Sequence, residues 1–205
     1  MKRLFVAIKV VPGEDLLEQY QRFRKWFRTD RISWVDEAHM HVTLRFIGDT
    51  PEEKVEAIHR ALSKVQPSYS AFRLSIRGTG IFGSSYKPRV LWFGVDDSDG
   101  LLVKMEKDIA GVLEEAGWPD DRQNFVPHLT IGRIQFIRIR NKLNEKVEKN
   151  RDKHLMDMEV NAFHLIESRL TPDGLVYQTL HSYPLKGAST NAAPLPFWKR
   201  LLSIF

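Results

Sequence analysis

The tetrapeptides His41-Val42-Thr43-Leu44 and His128-Leu129-Thr130-Ile131 constrain this chain more than any other feature in it. Both have the form His-x-Thr-x in an apolar, β-branched setting, so both read as strands. Residues i and i+2 of a strand point to one side. Each histidine therefore shares a face with its threonine, and a helix-like stretch precedes each strand. Two similar halves would set these His-Thr faces on either side of a central groove.

The rest of the apolar pattern fits that frame. Residues 3–10, 40–47, 71–81, 89–95 and 125–134 read as strands, and 156–168 with 174–181 as a hairpin turning at Thr171-Pro172-Asp173-Gly174. Leu16, Leu17, Tyr20, Phe23, Trp26 and Phe27 recur at helical spacing over 14–28. Val55, Ile58, Leu62 and Val65 do so over 51–65, with Thr50 as expected N-cap and Pro51 at the first helical position. Residues 100–116 read as a helix stopped by Gly117 and Pro119, and 141–150 as a charged helix. Strands and helices without regular βαβ alternation predict an α+β fold with antiparallel sheets. The expected architecture is bilobal: two antiparallel β-sheets with flanking helices, related by a pseudo-two-fold duplication.

At 205 residues, 42% of them hydrophobic and 28% charged, the chain fits one globular domain built as two lobes, over residues 1–186. It contains no Cys, which excludes disulfides and thiolate metal sites and suits a cytoplasmic location. The apolar run at Leu4–Ile8 is too short to span a membrane and is followed by Lys9, so it reads as a buried strand and no transmembrane segment is expected. A net charge of +5 fits a polyanionic partner as well as a merely basic surface. Nothing demands an oligomer, and a monomer is expected. Residues 187–205 differ in composition: a small, polar linker to Pro196, then the basic apolar segment Phe197–Phe205, suited to docking on its own domain, a membrane surface or a partner.

The paired motifs carry recognisable chemistry. An imidazole titrates near neutrality, so one can accept a proton while another donates one. Hydroxyls can donate to non-bridging phosphate oxygens. Together these groups suit opening a phosphodiester without a metal. Arg133 is odd-spaced from Thr130 and would point away in an ideal strand, but a bulge near Gly132 would re-aim its guanidinium toward a phosphate. The residues alone do not say which histidine is acid and which is base.

At these motifs the chain resembles the RNA 2′,3′-cyclic phosphodiesterases, also called 2′-5′ RNA ligases, of the two-histidine phosphoesterase superfamily. The resemblance runs over residues 1–186. It is carried by Arg3-Leu4-Phe5-Val6-Ala7, Trp34-Val35, His41 to Gly48, Phe125 to Arg133, Ser168 to Tyr177, and Tyr183-Pro184-Leu185. It implies a bilobal fold with its active site in the groove, and hydrolysis of an RNA 2′,3′-cyclic phosphate to a 2′-phosphomonoester with no cofactor and no metal. It implies His41 as proton donor, His128 as proton acceptor, and Thr43, Thr130 and Arg133 as phosphate ligands. Some members of the family also join tRNA halves through a 2′-5′ linkage. Phe46 is the candidate for stacking on a nucleobase, with Trp92, Phe82 and Tyr86 as alternatives.

Two other readings stand beside this one. His39 and His41 form His-x-His, the spacing of two metal ligands on one strand face, with His128 as a third ligand of a metal hydrolase. A non-catalytic RNA-binding module would use the interleaved Arg22, Phe23, Arg24, Trp26, Phe27 and Arg28, a pattern that also suits a core stripe with a basic edge. His59 and His154 read as exposed bystanders, and His164 and His181 as structural residues on the late strands.

Overall fold

The first strand, β1 (Lys2–Lys9), is buried on both faces, which is why it reads as an unbroken apolar run. Leu4, Val6 and Ile8 enter the main core, while Phe5 and Ala7 form a smaller cluster with Ile166 and Tyr177 on the other side. The computed structural model describes residues 1–119, 124–172 and 174–188. The expected tail 187–205 therefore lies outside the described residues beyond Ala188, as does Asp173 of the expected turn.

After β1 come α1 (Glu14–Trp26), β2 (Arg31–Trp34), β3 (His41–Thr50), α2 (Val55–Ser63), β4 (Phe72–Gly83), β5 (Pro88–Asp96) and α3 (Leu101–Glu115). Then follow β6 (His128–Phe136), α4 (Arg140–Lys149), β7 (His154–Val160), β8 (Ala162–Thr171) and β9 (Gly174–Pro184). The fold is α+β. The strands run β7-β4-β5-β6-β3-β1-β8-β9, every pair antiparallel, with β2 added against β6.

That order amends the expectation of two separate sheets. The halves β7-β4-β5-β6 and β3-β1-β8-β9 are joined through one residue pair, Val42 opposite Leu129. β3 and β6 occupy matching places at this seam, each carrying one His-x-Thr motif. The helices cover the face that Val42 and Leu129 turn inward. α1 contributes Leu16, Tyr20 and Phe23, α2 Ile58 and Leu62, and α3 Leu102, Met105, Ile109 and Leu113 to one continuous core. Full burial of such a side chain contributes about 1.5–3 kcal/mol. A one-residue slip of β3 or β6 would turn those residues outward, so burial fixes which face carries His and Thr.

Local expectations need three corrections. Thr50 does not cap a helix: it ends β3, and its hydroxyl donates to the Gly48 carbonyl at 3.2 Å. A 3₁₀ turn at Glu52–Lys54 precedes α2 instead. The single strand expected over 156–168 is two strands, β7 and β8, separated at Asn161. β2 was not expected at all. It is held by pairing with β6, Ser33 opposite Arg133 and Trp34 opposite Gly132.

Candidate active site

Over six residues the two motifs have the same burial. His41, Thr43, His128 and Thr130 are half-buried; Val42, Leu44, Arg45 and Leu129, Ile131, Gly132 are buried; Phe46 and Arg133 are exposed. Each motif also carries a bulge at the same place. On β1, Ala7 and Val6 are adjacent but pair with Thr43 and Arg45, so Leu44 is the extra residue. On β5, Trp92 and Leu91 pair with Thr130 and Gly132, so Ile131 is the extra residue. A bulge of this kind resets the alternation of faces. The third residue after each threonine thus returns to the threonine's side: Phe46 in one half and Arg133 in the other.

These faces meet at the seam. An antiparallel register through Val42 and Leu129 sets His41 across from Thr130 and Thr43 across from His128. His41, Thr43, Phe46, Thr130 and Arg133 line one cavity of about 310 Å³. His128 flanks that cavity beside Thr43, close enough that its charge acts on His41.

Each imidazole is anchored in the same way. Nδ1 of His41 lies 2.6 Å from the His39 carbonyl, and Nδ1 of His128 lies 2.7 Å from the Val126 carbonyl. A carbonyl only accepts, so each Nδ1 carries the hydrogen. Nε2 is then the lone-pair nitrogen of the neutral ring, able to take a proton or to give one back. Burial pushes the His41 pKa below the ordinary imidazole value. The bond to the His39 carbonyl opposes this, and the positive charges of Arg133, His39 and His128 reinforce it.

Aromatic rings hold both histidines. Phe5 packs against His41 with ring centres 5.0 Å apart, and Tyr177 meets it edge-on at 5.3 Å. Phe82 meets His128 edge-on at 4.7 Å, with Trp92 beyond it at 6.5 Å. Trp92 lies flat over Gly80: a Cβ there would fall 2.1 Å from the indole. Phe46 stacks on Phe5 at 5.8 Å and is 53% exposed, so one face of its ring is available to a ligand.

Other groups of the cavity were not anticipated as site residues. Ser168 and Tyr177 are paired across β8 and β9, and Ser33 and Trp34 come from β2. Tyr177 could have been suspected, because it closes the late motif quoted above. Ser33 and Trp34 depend on a strand too short to show a period. Gly132 is what lets that strand approach, since a Cβ there would lie 2.8 Å from Ile32 and 3.2 Å from Trp34.

The metal reading is not supported by placement. His39 belongs to a 3₁₀ turn, Glu37–His39, and not to the strand, and it lends its carbonyl to His41 while its ring packs on Tyr177 at 5.0 Å. Among the described residues no three His, Cys, Asp or Glu side chains are grouped to hold a metal ion. The basic stripe of α1 is a core stripe, with Phe23 and Phe27 buried. His59 is no bystander: it stacks on His181 at 3.9 Å, and its Nδ1 lies 3.1 Å from the Tyr183 hydroxyl. His154 is exposed and pairs with Asp157, and His164 lies against the Ser182 hydroxyl. Tyr86 is remote from the cavity.

Comparison with known proteins identifies the family. A family model described as the 2′-5′ RNA ligase superfamily matches residues 12–171. The protein named RNA 2′,3′-cyclic phosphodiesterase from Methanocaldococcus jannaschii is 32% identical over 181 residues, 88% of this chain and 99% of that one. Its namesake from Aquifex aeolicus is 35% identical over 155 residues, 75% of this chain and 82% of that one. Among solved structures, a Thermus thermophilus protein superposes with a TM-score of 0.70 at 24% identity, covering 91% of this chain and 100% of its own. Escherichia coli LigT in complex with 3′-AMP also gives 0.70, at 23% identity, covering 90% and 98%. The two structures share the fold. With the family model matching most of its length and a relative at 32% identity covered over 99% of its own length, the chain belongs to the 2′-5′ RNA ligase superfamily.

Proposed function

We propose that this protein hydrolyses RNA 2′,3′-cyclic phosphate ends to 2′-phosphomonoesters without a metal, by acid–base catalysis between His41 and His128. The observation that carries the reading is the seam: two His-x-Thr faces meet at one residue pair, and both imidazoles are held through Nδ1 by a backbone carbonyl. The names of the relatives at 32% and 35% identity point to the same substrate.

In the reaction, Nε2 of His128 takes a proton from water as its oxygen attacks phosphorus. The P–O3′ bond breaks, and His41 gives a proton to the departing O3′. Thr43, Thr130 and the Arg133 guanidinium hold the non-bridging oxygens as charge develops on them. This order is the one the family resemblance implies. Burial lowers the His41 pKa, which on its own favours the neutral ring, so the negative charge of the bound phosphodiester is what keeps His41 protonated until the step. Phe46 offers its exposed ring to the terminal base.

The test is to incubate the protein with an RNA ending in a 2′,3′-cyclic phosphate, in EDTA, and identify the product end. A 2′-phosphate supports the reading; a 3′-phosphate reverses the assigned regiochemistry; no reaction refutes it for this substrate. A pure binding module would keep its RNA affinity after both His41→Ala and His128→Ala and would show no turnover to lose.

A further inference from the structure

A second cavity, of about 560 Å³, lies where the β4–β5 hairpin tip meets the start of α4. It is lined by Ser85, Tyr86, Arg138, Ile139, Arg140 and the carboxamides Asn141 and Asn144. Tyr86 is 79% exposed and Ile139 56%, large apolar surface left in water beside two guanidiniums. No carboxylate among the described residues lies within ion-pair reach of the Arg138, Arg140, Lys87 or Arg89 side chains. Asp30 is nearby, but it accepts the Arg138 backbone amide at 2.7 Å. The hairpin tip is braced: the Lys87 amide donates to both the carbonyl and the hydroxyl of Ser84, each at 3.0 Å.

The two cavities share no wall, but β6 runs from one toward the other. Arg133 lines the groove, and Gln135 donates to Ser33, another of its walls, at 2.7 Å. Phe136, paired with Arg31, is exposed at the end of the strand, and Arg138 follows two residues on. At about 3.3 Å per residue, Arg133 and Arg138 are up to ~17 Å apart. From Arg133, the paired strand β5 leads back from Val90 to the Tyr86 hairpin. Unpaired cations interleaved with exposed aromatic rings along a strand and the hairpin beside it are the chemistry of single-stranded nucleic-acid binding: cations meet the backbone, and rings stack on bases without reading sequence.

We infer that this surface binds the single-stranded RNA immediately 5′ of the reacting end, with Tyr86 stacking on a base and Arg138 and Arg140 on backbone phosphates. The inference rests on the reading of the groove given above and adds a preference for polynucleotide over mononucleotide substrates. It is tested with Tyr86→Ala and with the double variant Arg138→Ala/Arg140→Ala. Turnover is measured on a 2′,3′-cyclic mononucleotide and on a single-stranded RNA bearing the same end; affinity for the 2′-phosphate-ended RNA is followed by fluorescence anisotropy against salt.

Both variants should hydrolyse the mononucleotide at the wild-type rate, which also reports that they are folded. Each should lose about tenfold or more in kcat/KM on the RNA, the expected effect of one stacked base or of the lost phosphate contacts. The slope of log affinity against log salt should become shallower by about 1.4 in the double variant, from about 0.7 per phosphate contact on a single strand. Equal kcat/KM for mononucleotide and RNA in the wild type, equal losses on both substrates, or an unchanged salt slope would overturn the inference. If the wild type hydrolyses neither substrate, the reading of the groove fails, and the anisotropy series still decides whether this surface binds RNA.

Discussion

At the scale of single residues, the question is which imidazole does what. If His41 protonates O3′, a 2′,3′-cyclic substrate with sulfur in place of that oxygen needs no proton on its leaving group. His41→Ala should then lose ~10²–10⁴-fold on the oxygen substrate but far less on the sulfur one, while His128→Ala should lose a similar factor on both. The opposite pattern would exchange the two roles. Arg133→Ala removes hydrogen bonds from a charged donor, each worth about 1.5–3 kcal/mol. Its kcat/KM should fall roughly 10- to 150-fold, and an unchanged value would remove Arg133 from the phosphate site. The His and Thr positions were legible in the sequence because strand alternation is local. Arg133 needed the bulge at Ile131, which the sequence suggested only through Gly132. Tyr177 and Ser168 reach the cavity through the register of β8 against β9, which no local pattern encodes.

At the scale of elements, the seat of His128 depends on how closely β4 approaches the indole of β5. Gly80→Ala would put a methyl inside the space of the Trp92 ring. Overpacking of this kind costs about 1–3 kcal/mol. It should lower the urea midpoint and, by displacing Trp92 and Phe82 from His128, reduce kcat/KM as well; a stable, fully active variant would show that the aromatic wall does not position the imidazole. Long elements were legible, since α1, α3 and the strands around the motifs have clear periods. Arg31-Ile32-Ser33-Trp34 has none, and only pairing with β6 makes it a strand. The break at Asn161 was hidden because apolar residues continue on both sides of it. Thr50 has the residue pattern of a cap but is used by β3 first.

At the scale of the molecule, His41, His181 and His164 are held below the ordinary imidazole value by burial first, the last down to about 4 with Lys9 adding its charge. In the unfolded chain each titrates near 6.5. Between that pH and the lower folded values the unfolded state binds more protons, so stability rises with pH through the window. It should be fully present above about pH 6.5 and decline toward pH 5, before the carboxylates begin to titrate. Urea unfolding at a series of pH values would show this. His164→Asn should flatten the profile, and a profile that stays steep would assign the effect elsewhere. The overall class and the twofold plan were legible from the repeated motif. The seam was not, because a single bridge between distant strands leaves no mark in either of them.

The matching bulges have one more consequence. Two identical halves would present the same side chain twice, and a ligand lying between them could be turned end for end at no energetic difference. Because one continuous chain supplies both halves, it can place a phenyl group at one of the matching positions and a guanidinium at the other. The cleft then has a left and a right, which a substrate with a base at one end and a phosphate at the other must respect.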